Sequence, residues 1–155
     1  MKIKSYLYFL GLSCFPISVM ALINIFYSFY FQYLENIYSY TLVMILSLLI
    51  GIIFFQIGKK NHEIINIYDQ LFLVILVYIF ISFFIAVPYL FSGYNISFID
   101  SFFESISGIT GTGFTIFETL SNIDSPLILW RSSSQWLGGF YFLIFLVLVF
   151  SNKQI

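Results

Sequence analysis

The sequence has 155 residues, of which 61% are hydrophobic and only 8% are charged, whereas a soluble domain carries about 25% charged residues. So little charge excludes a soluble monomer, and the formal net charge of −1 gives no basis for nucleic-acid binding. Cys14 is the only cysteine, which excludes an intramolecular disulfide and a cysteine-based zinc motif. The composition therefore predicts an all-α integral membrane protein surrounded by lipid.

Four stretches contain the roughly 20 apolar residues that a helix needs to cross the hydrocarbon core: 5–31, 38–58, 68–91 and 128–151. Lys2 and Lys4 precede the first stretch, as they would in a signal peptide, but its apolar run exceeds the roughly 7–15 residues of a signal-peptide core. We therefore predict a retained helix. The spans divide the chain into an N-terminal transmembrane helix pair at 1–64 and a helix–loop–helix unit at 65–155.

Cationic residues predict the orientation of these spans. An N-terminus in the cytoplasm would place every lysine and the single histidine on the inner face of a bacterial plasma (inner) membrane: Lys2, Lys4, Lys59, Lys60, His62 and Lys153. Arg131 breaks this pattern, because it lies at the outer end of the fourth stretch. A cation so close to the apolar region requires a partner, and Glu104, Glu118 and Asp124 are the candidates.

The segment at 92–127 is too apolar for an ordinary exposed loop. Ser97 and Asp100 have the S-x-x-D form of a helix start, and Gly108 is a natural helix stop. The sequence thus predicts a helix at 98–107, about 15 Å long, which crosses only half of the membrane core. Irregular backbone at that depth must be buried in protein or line a water-filled cavity. We therefore predict a re-entrant pore helix followed by a filter loop at 110–114.

The residues Thr110, Gly111, Thr112 and Gly113 suit this loop to binding a dehydrated cation. Backbone carbonyls, which the sequence predicts in an extended segment, can replace the hydration shell of an ion. The carboxyl end of the preceding helix also favours a cation. Two phosphate-binding alternatives fail, because Phe114 stands at the lysine position of a P-loop and Ile116 at the last glycine of the dinucleotide pattern.

Glu104, one turn before the end of the predicted helix, allows three interpretations: a catalytic carboxylate, a charge in the field of a pore, or a structural partner. We predict that it either forms hydrogen bonds behind the loop or raises the local concentration of cations. An enzyme using Asp100, Glu104 and His62 is disfavoured, because the predicted topology puts His62 on the opposite side of the membrane from both carboxylates. No catalytic residue and no cofactor is expected.

The stretches "FIDSFFESISGITGTGFT" and "LWRSSSQWLGG" resemble the Trk/Ktr/HKT potassium transporters, nearest the TrkH type. In that family the first pore repeat reads approximately F-x-D-A-x-F-E-S-x-S-G-x-T-T-T-G-A-T, and the next helix opens W-R-S-x-x-Q-W-L-G-G. The resemblance implies a potassium-channel-like helix–pore-loop–helix unit preceded by an extra helix pair. It also implies that K⁺ is the transported ion, bound by carbonyls of Thr110, Gly111 and Thr112, with Gly113 as the filter glycine.

The sequence departs from the family pattern in two residues and in length. Gly111 replaces the usual threonine, and Phe114 replaces a small residue and is expected to crowd the outer mouth. The family arranges four repeats around one pore, so a single repeat predicts a fragment or one part of a split transporter. A homotetramer, a non-conducting assembly or regulatory subunit, and a truncated inactive gene product remain alternatives. The implied partners are the remaining pore repeats or other copies, and a cytoplasmic nucleotide-binding Trk regulatory subunit.

Overall fold

The computed structural model describes residues 2–59, 66–119 and 123–151, and within them the chain is helical with no β-strand. These described ranges contain five helices in chain order: α1 Lys2–Tyr30, α2 Ile37–Lys59, α3 Ile67–Leu90, α4 Phe98–Ile109 and α5 Ser125–Ser151. The helices α1, α2 and α3 are long and apolar enough to cross a membrane. They coincide with the first three predicted spans to within a few residues, and α5 occupies the stretch predicted as the fourth. Lys60, His62 and Lys153 lie outside the described residues.

The helices α1 and α2 form an antiparallel pair whose backbones approach closely at glycines. A methyl group added at Gly11 would lie 2.5 Å from the backbone nitrogen of Phe55, and one added at Gly58 would lie 2.5 Å from that of Tyr8. Small residues allow such contact between membrane helices, where packing rather than hydrophobicity holds helices together. The pair is attached to α3 through Asn36, whose side-chain amide donates to the carbonyl of Pro88 at 3.2 Å.

The short helix α4 begins where the sequence predicts, and Ser97 is its N-cap: the Ser97 hydroxyl accepts a hydrogen bond from the backbone of Asp100 at 3.2 Å. The predicted end was about residue 107, and α4 continues two residues further, through Gly108 to Ile109. Gly108 serves as a contact instead of a stop, since a methyl group there would lie 2.5 Å from the Ser134 hydroxyl of α5. With 12 residues, α4 is about 18 Å long, shorter than the roughly 30 Å hydrocarbon core.

One face of α5 holds α3 and α4 in place. Trp130 is fully buried, and its indole N–H donates to the carbonyl of Ile85 in α3 at 3.0 Å. Two turns further along, the carbonyl of Gly138 accepts a hydrogen bond from the Tyr78 hydroxyl at 2.8 Å. Because α4 packs against both α3 and α5, the loop that follows α4 starts from a fixed position.

Candidate functional site

The loop after α4 changes direction through two glycines in the left-handed region. Thr110 still has nearly helical angles, with φ −81° and ψ −9°, whereas Gly111 and Gly113 have φ values of 70° and 79°. Other residues resist these positive φ values. The prediction of an extended segment was therefore wrong, because Thr110 has nearly helical angles and both glycines have positive φ values.

The loop has three consecutive carbonyl oxygens to which no described residue donates a hydrogen bond. Across the described residues, the carbonyls of Thr110, Gly111 and Thr112 accept no hydrogen bond, and these residues are exposed. The next two carbonyls are anchored. Arg131 donates through Nη2 to the carbonyls of Gly113 and Phe114, each at 3.2 Å. The loop thus consists of an accessible first part and an immobilised second part.

Glu104 anchors the second part of the loop from behind. Its carboxylate is fully buried and accepts three hydrogen bonds: from Arg131 Nε at 2.6 Å, from the Thr115 hydroxyl at 3.0 Å and from the backbone N–H of Ile116 at 3.0 Å. Of the two roles predicted for Glu104, these contacts match hydrogen bonding behind the loop. Glu104 therefore joins α4, the loop and α5 in one polar network.

Of the three candidate partners for Arg131, the structure selects Glu104, in an ion pair whose side chains are 12% and 0% exposed. Asp124 forms hydrogen bonds with Tyr94. Its carboxylate accepts from the Tyr94 hydroxyl at 3.2 Å, and its backbone N–H donates to the Tyr94 hydroxyl oxygen at 2.8 Å. Burial raises the pKa of Asp124, and the hydrogen bond from Tyr94 partly opposes that shift. Glu118 is exposed.

Phe114 and Asp100, the two further residues considered in the sequence, are both exposed. Phe114, predicted to crowd the outer mouth, is 69% exposed, and its carbonyl accepts a second hydrogen bond, from the Ser107 hydroxyl at 2.6 Å. Asp100 is exposed at the start of α4, where its carboxylate accepts from the Ser97 hydroxyl at 2.6 Å. The Phe114 side chain is therefore exposed while its carbonyl is held by Ser107 and Arg131.

The two small residues of α5 against which the end of α4 packs were not predicted from the sequence. Ser134 faces Gly108, and a methyl group at Gly138 would overlap the carbonyl oxygen of Ile109. These two small residues lie four apart in α5 and so share a face of the helix, which lets the end of α4 approach the α5 backbone. The small-residue pair separated by three positions in "SSSQWLGG" was the available signal.

Comparison with known proteins finds relatives over part of the chain. The chain is 31% identical over 106 residues to the Trk system potassium uptake protein TrkG of Escherichia coli K12, covering 63% of this chain and 22% of the relative. It is 27% identical over 112 residues to TrkH of the same organism (72% and 23%), and 41% identical over 59 residues to TrkI of Halomonas elongata (38% and 12%). The matched region thus spans less than a quarter of each of these relatives. No model of a known protein family matches the sequence, and no solved structure does.

Proposed function

We propose that the chain belongs to the family of the Trk potassium uptake proteins that it resembles over part of its length, and that it supplies one pore-lining unit for potassium transport across a bacterial plasma membrane. In this proposal α5 is the fourth span, and α4 with its loop re-enters the membrane from the outer side. The N-terminus is cytoplasmic. The chain acts as part of a TrkH-type uptake protein, or is a fragment of one.

The observation that carries the proposal is that the three consecutive carbonyl oxygens of Thr110, Gly111 and Thr112 accept no hydrogen bond from the described residues. An ion in transit exchanges water for such oxygens without meeting a fixed charge. They follow the carboxyl end of α4, whose partial negative charge favours a cation. The charge of Arg131 is compensated by Glu104 at 2.6 Å, so it does not oppose that preference.

One loop offers oxygens to an ion from one side only. The proposal therefore needs further pore units, supplied by remaining repeats or by other copies of the chain. A closed ring of identical units is a common arrangement in symmetric oligomers. Gly111 stands where the family pattern has threonine, and it still supplies a backbone carbonyl, so all three carbonyl oxygens from Thr110 to Thr112 are retained. A cytoplasmic nucleotide-binding regulatory subunit of the Trk type is the proposed soluble partner.

Growth of a potassium-uptake-deficient bacterium at low K⁺ tests the proposal, with the chain co-expressed with the remaining pore units. We expect growth with the unaltered chain and none with Gly113→Asp, because the left-handed backbone at Gly113 and the added carboxylate would distort the loop. Gly93→Asp is the matched control: Gly93 is exposed, a methyl group there meets nothing within 4 Å, and growth should persist. Equal growth of both variants would refute the filter assignment.

A further inference from the structure

Two buried hydroxyl groups near Glu104 lack a partner in the part of the chain that the structure describes. Tyr89 and Ser101 are fully buried, and neither hydroxyl has a hydrogen-bond partner among the described residues. Tyr89 lies in the last turn of α3 and Ser101 in the first turn of α4. An unpaired buried hydroxyl is unfavourable, so this pair needs an explanation.

Both hydroxyls belong to the surroundings of the same carboxylate. Ser101 precedes Glu104 by three residues, which puts the two side chains on one face of α4. Tyr89 lies in the last turn of α3, the helix that packs against α4, and the charges of Glu104 and Arg131 act on its phenol. A carboxylate has about four acceptor positions, and protein groups fill three of those on Glu104. Among the described residues, Tyr89 and Ser101 therefore each offer an unused donor, and Glu104 offers an unused acceptor.

We propose that a single structural water molecule binds between α3 and α4, where it accepts from the hydroxyls of Tyr89 and Ser101 and donates to Glu104. Buried waters typically make about three hydrogen bonds to otherwise unsatisfied polar groups. Water fits this site better than a cation does, because the Glu104 charge is already paired with Arg131. The bound water joins the end of α3 to the helix that carries the loop, whichever ion the chain transports.

The sign of a stability change tests this site. Tyr89→Phe should lower the unfolding temperature if the hydroxyl is bonded through water, and should leave it unchanged or raise it if the hydroxyl is unpaired. Tyr78→Phe is the reference for the size of the decrease in unfolding temperature, because it removes a direct hydrogen bond to Gly138. We expect both variants to unfold below the unaltered chain. A Tyr89→Phe variant that unfolds at or above the temperature of the unaltered chain would overturn the proposal.

Two further measurements test whether one water serves both hydroxyls. The double variant Tyr89→Phe with Ser101→Ala should lose less stability than the sum of the single losses, since either change disrupts the shared site; additive losses would contradict a shared water.

X-ray hydroxyl-radical labelling of the unaltered chain needs no variant. It should modify buried Tyr89 above the background of Trp130, which is equally buried but bonded directly to protein. A Tyr89 signal at background would also overturn the proposal.

Discussion

Replacing Glu104 by glutamine should destabilise the chain strongly, because it keeps the side-chain shape and removes the charge that Arg131 requires. Arg131 is only 12% exposed, so it would be left buried without a counter-charge. Removing one partner of a buried ion pair costs about 3–5 kcal/mol. At about 2–4 °C per kcal/mol for a chain of this size, the unfolding temperature should fall by about 6–20 °C.

Thermal unfolding in detergent, followed by tryptophan fluorescence, measures this effect, since Trp130 is buried beside Arg131. Asp100→Asn is the control: it removes an exposed carboxylate from the same helix, where such changes cost about 1 kcal/mol or less. The double variant Glu104→Gln with Arg131→Gln should recover part of the loss, because no unpaired charge remains. An unfolding temperature for Glu104→Gln no lower than that of Asp100→Asn would refute the structural role of the pair.

Two further substitutions test how the loop is positioned, each with a glycine control and the same unfolding assay. Gly138→Ala should unfold at a lower temperature because its methyl group overlaps the Ile109 carbonyl. Gly139→Ala is the control and should match the unaltered chain, because its methyl group meets nothing within 4 Å. Equal unfolding temperatures for the two variants would contradict the packing of the end of α4 against Gly138. Gly111→Ala should cost about 1–2 kcal/mol, since alanine resists a φ of 70°, while Gly93→Ala should be neutral. A neutral Gly111→Ala would argue against the left-handed turn.

The sequence was sufficient for the helices and for the start of α4. Apolar runs of adequate length placed α1, α2 and α3, and the S-x-x-D pattern located the N-cap at Ser97, because both signals are local. The end of α4 could not be predicted from the neighbouring sequence. Gly108 is a helix breaker by propensity, but its contact with Ser134 stabilises it inside the helix, and that contact depends on the position of α5.

The site was predictable in its residues and only partly in its geometry. Arg131 was identified as a cation that needs a partner, yet Glu104, Glu118 and Asp124 were all possible partners, and only the packing of α5 against α4 selects Glu104. The glycines at 111 and 113 indicated unusual backbone angles without indicating which angles. The anchoring of the Gly113 and Phe114 carbonyls by Arg131 joins residues 17 or 18 positions apart, beyond the range of any local pattern.

Flux of radioactive rubidium into liposomes tests the central claim most directly, since rubidium substitutes for K⁺ and flux needs no cellular response. The chain reconstituted with its remaining pore units should take up rubidium, and excess unlabelled K⁺ should compete. Gly113→Asp should abolish that uptake, and Gly93→Asp should leave it intact. Uptake that persists with Gly113→Asp, or its absence from the complete assembly of unaltered units, would contradict the assignment of the loop as an ion-binding filter.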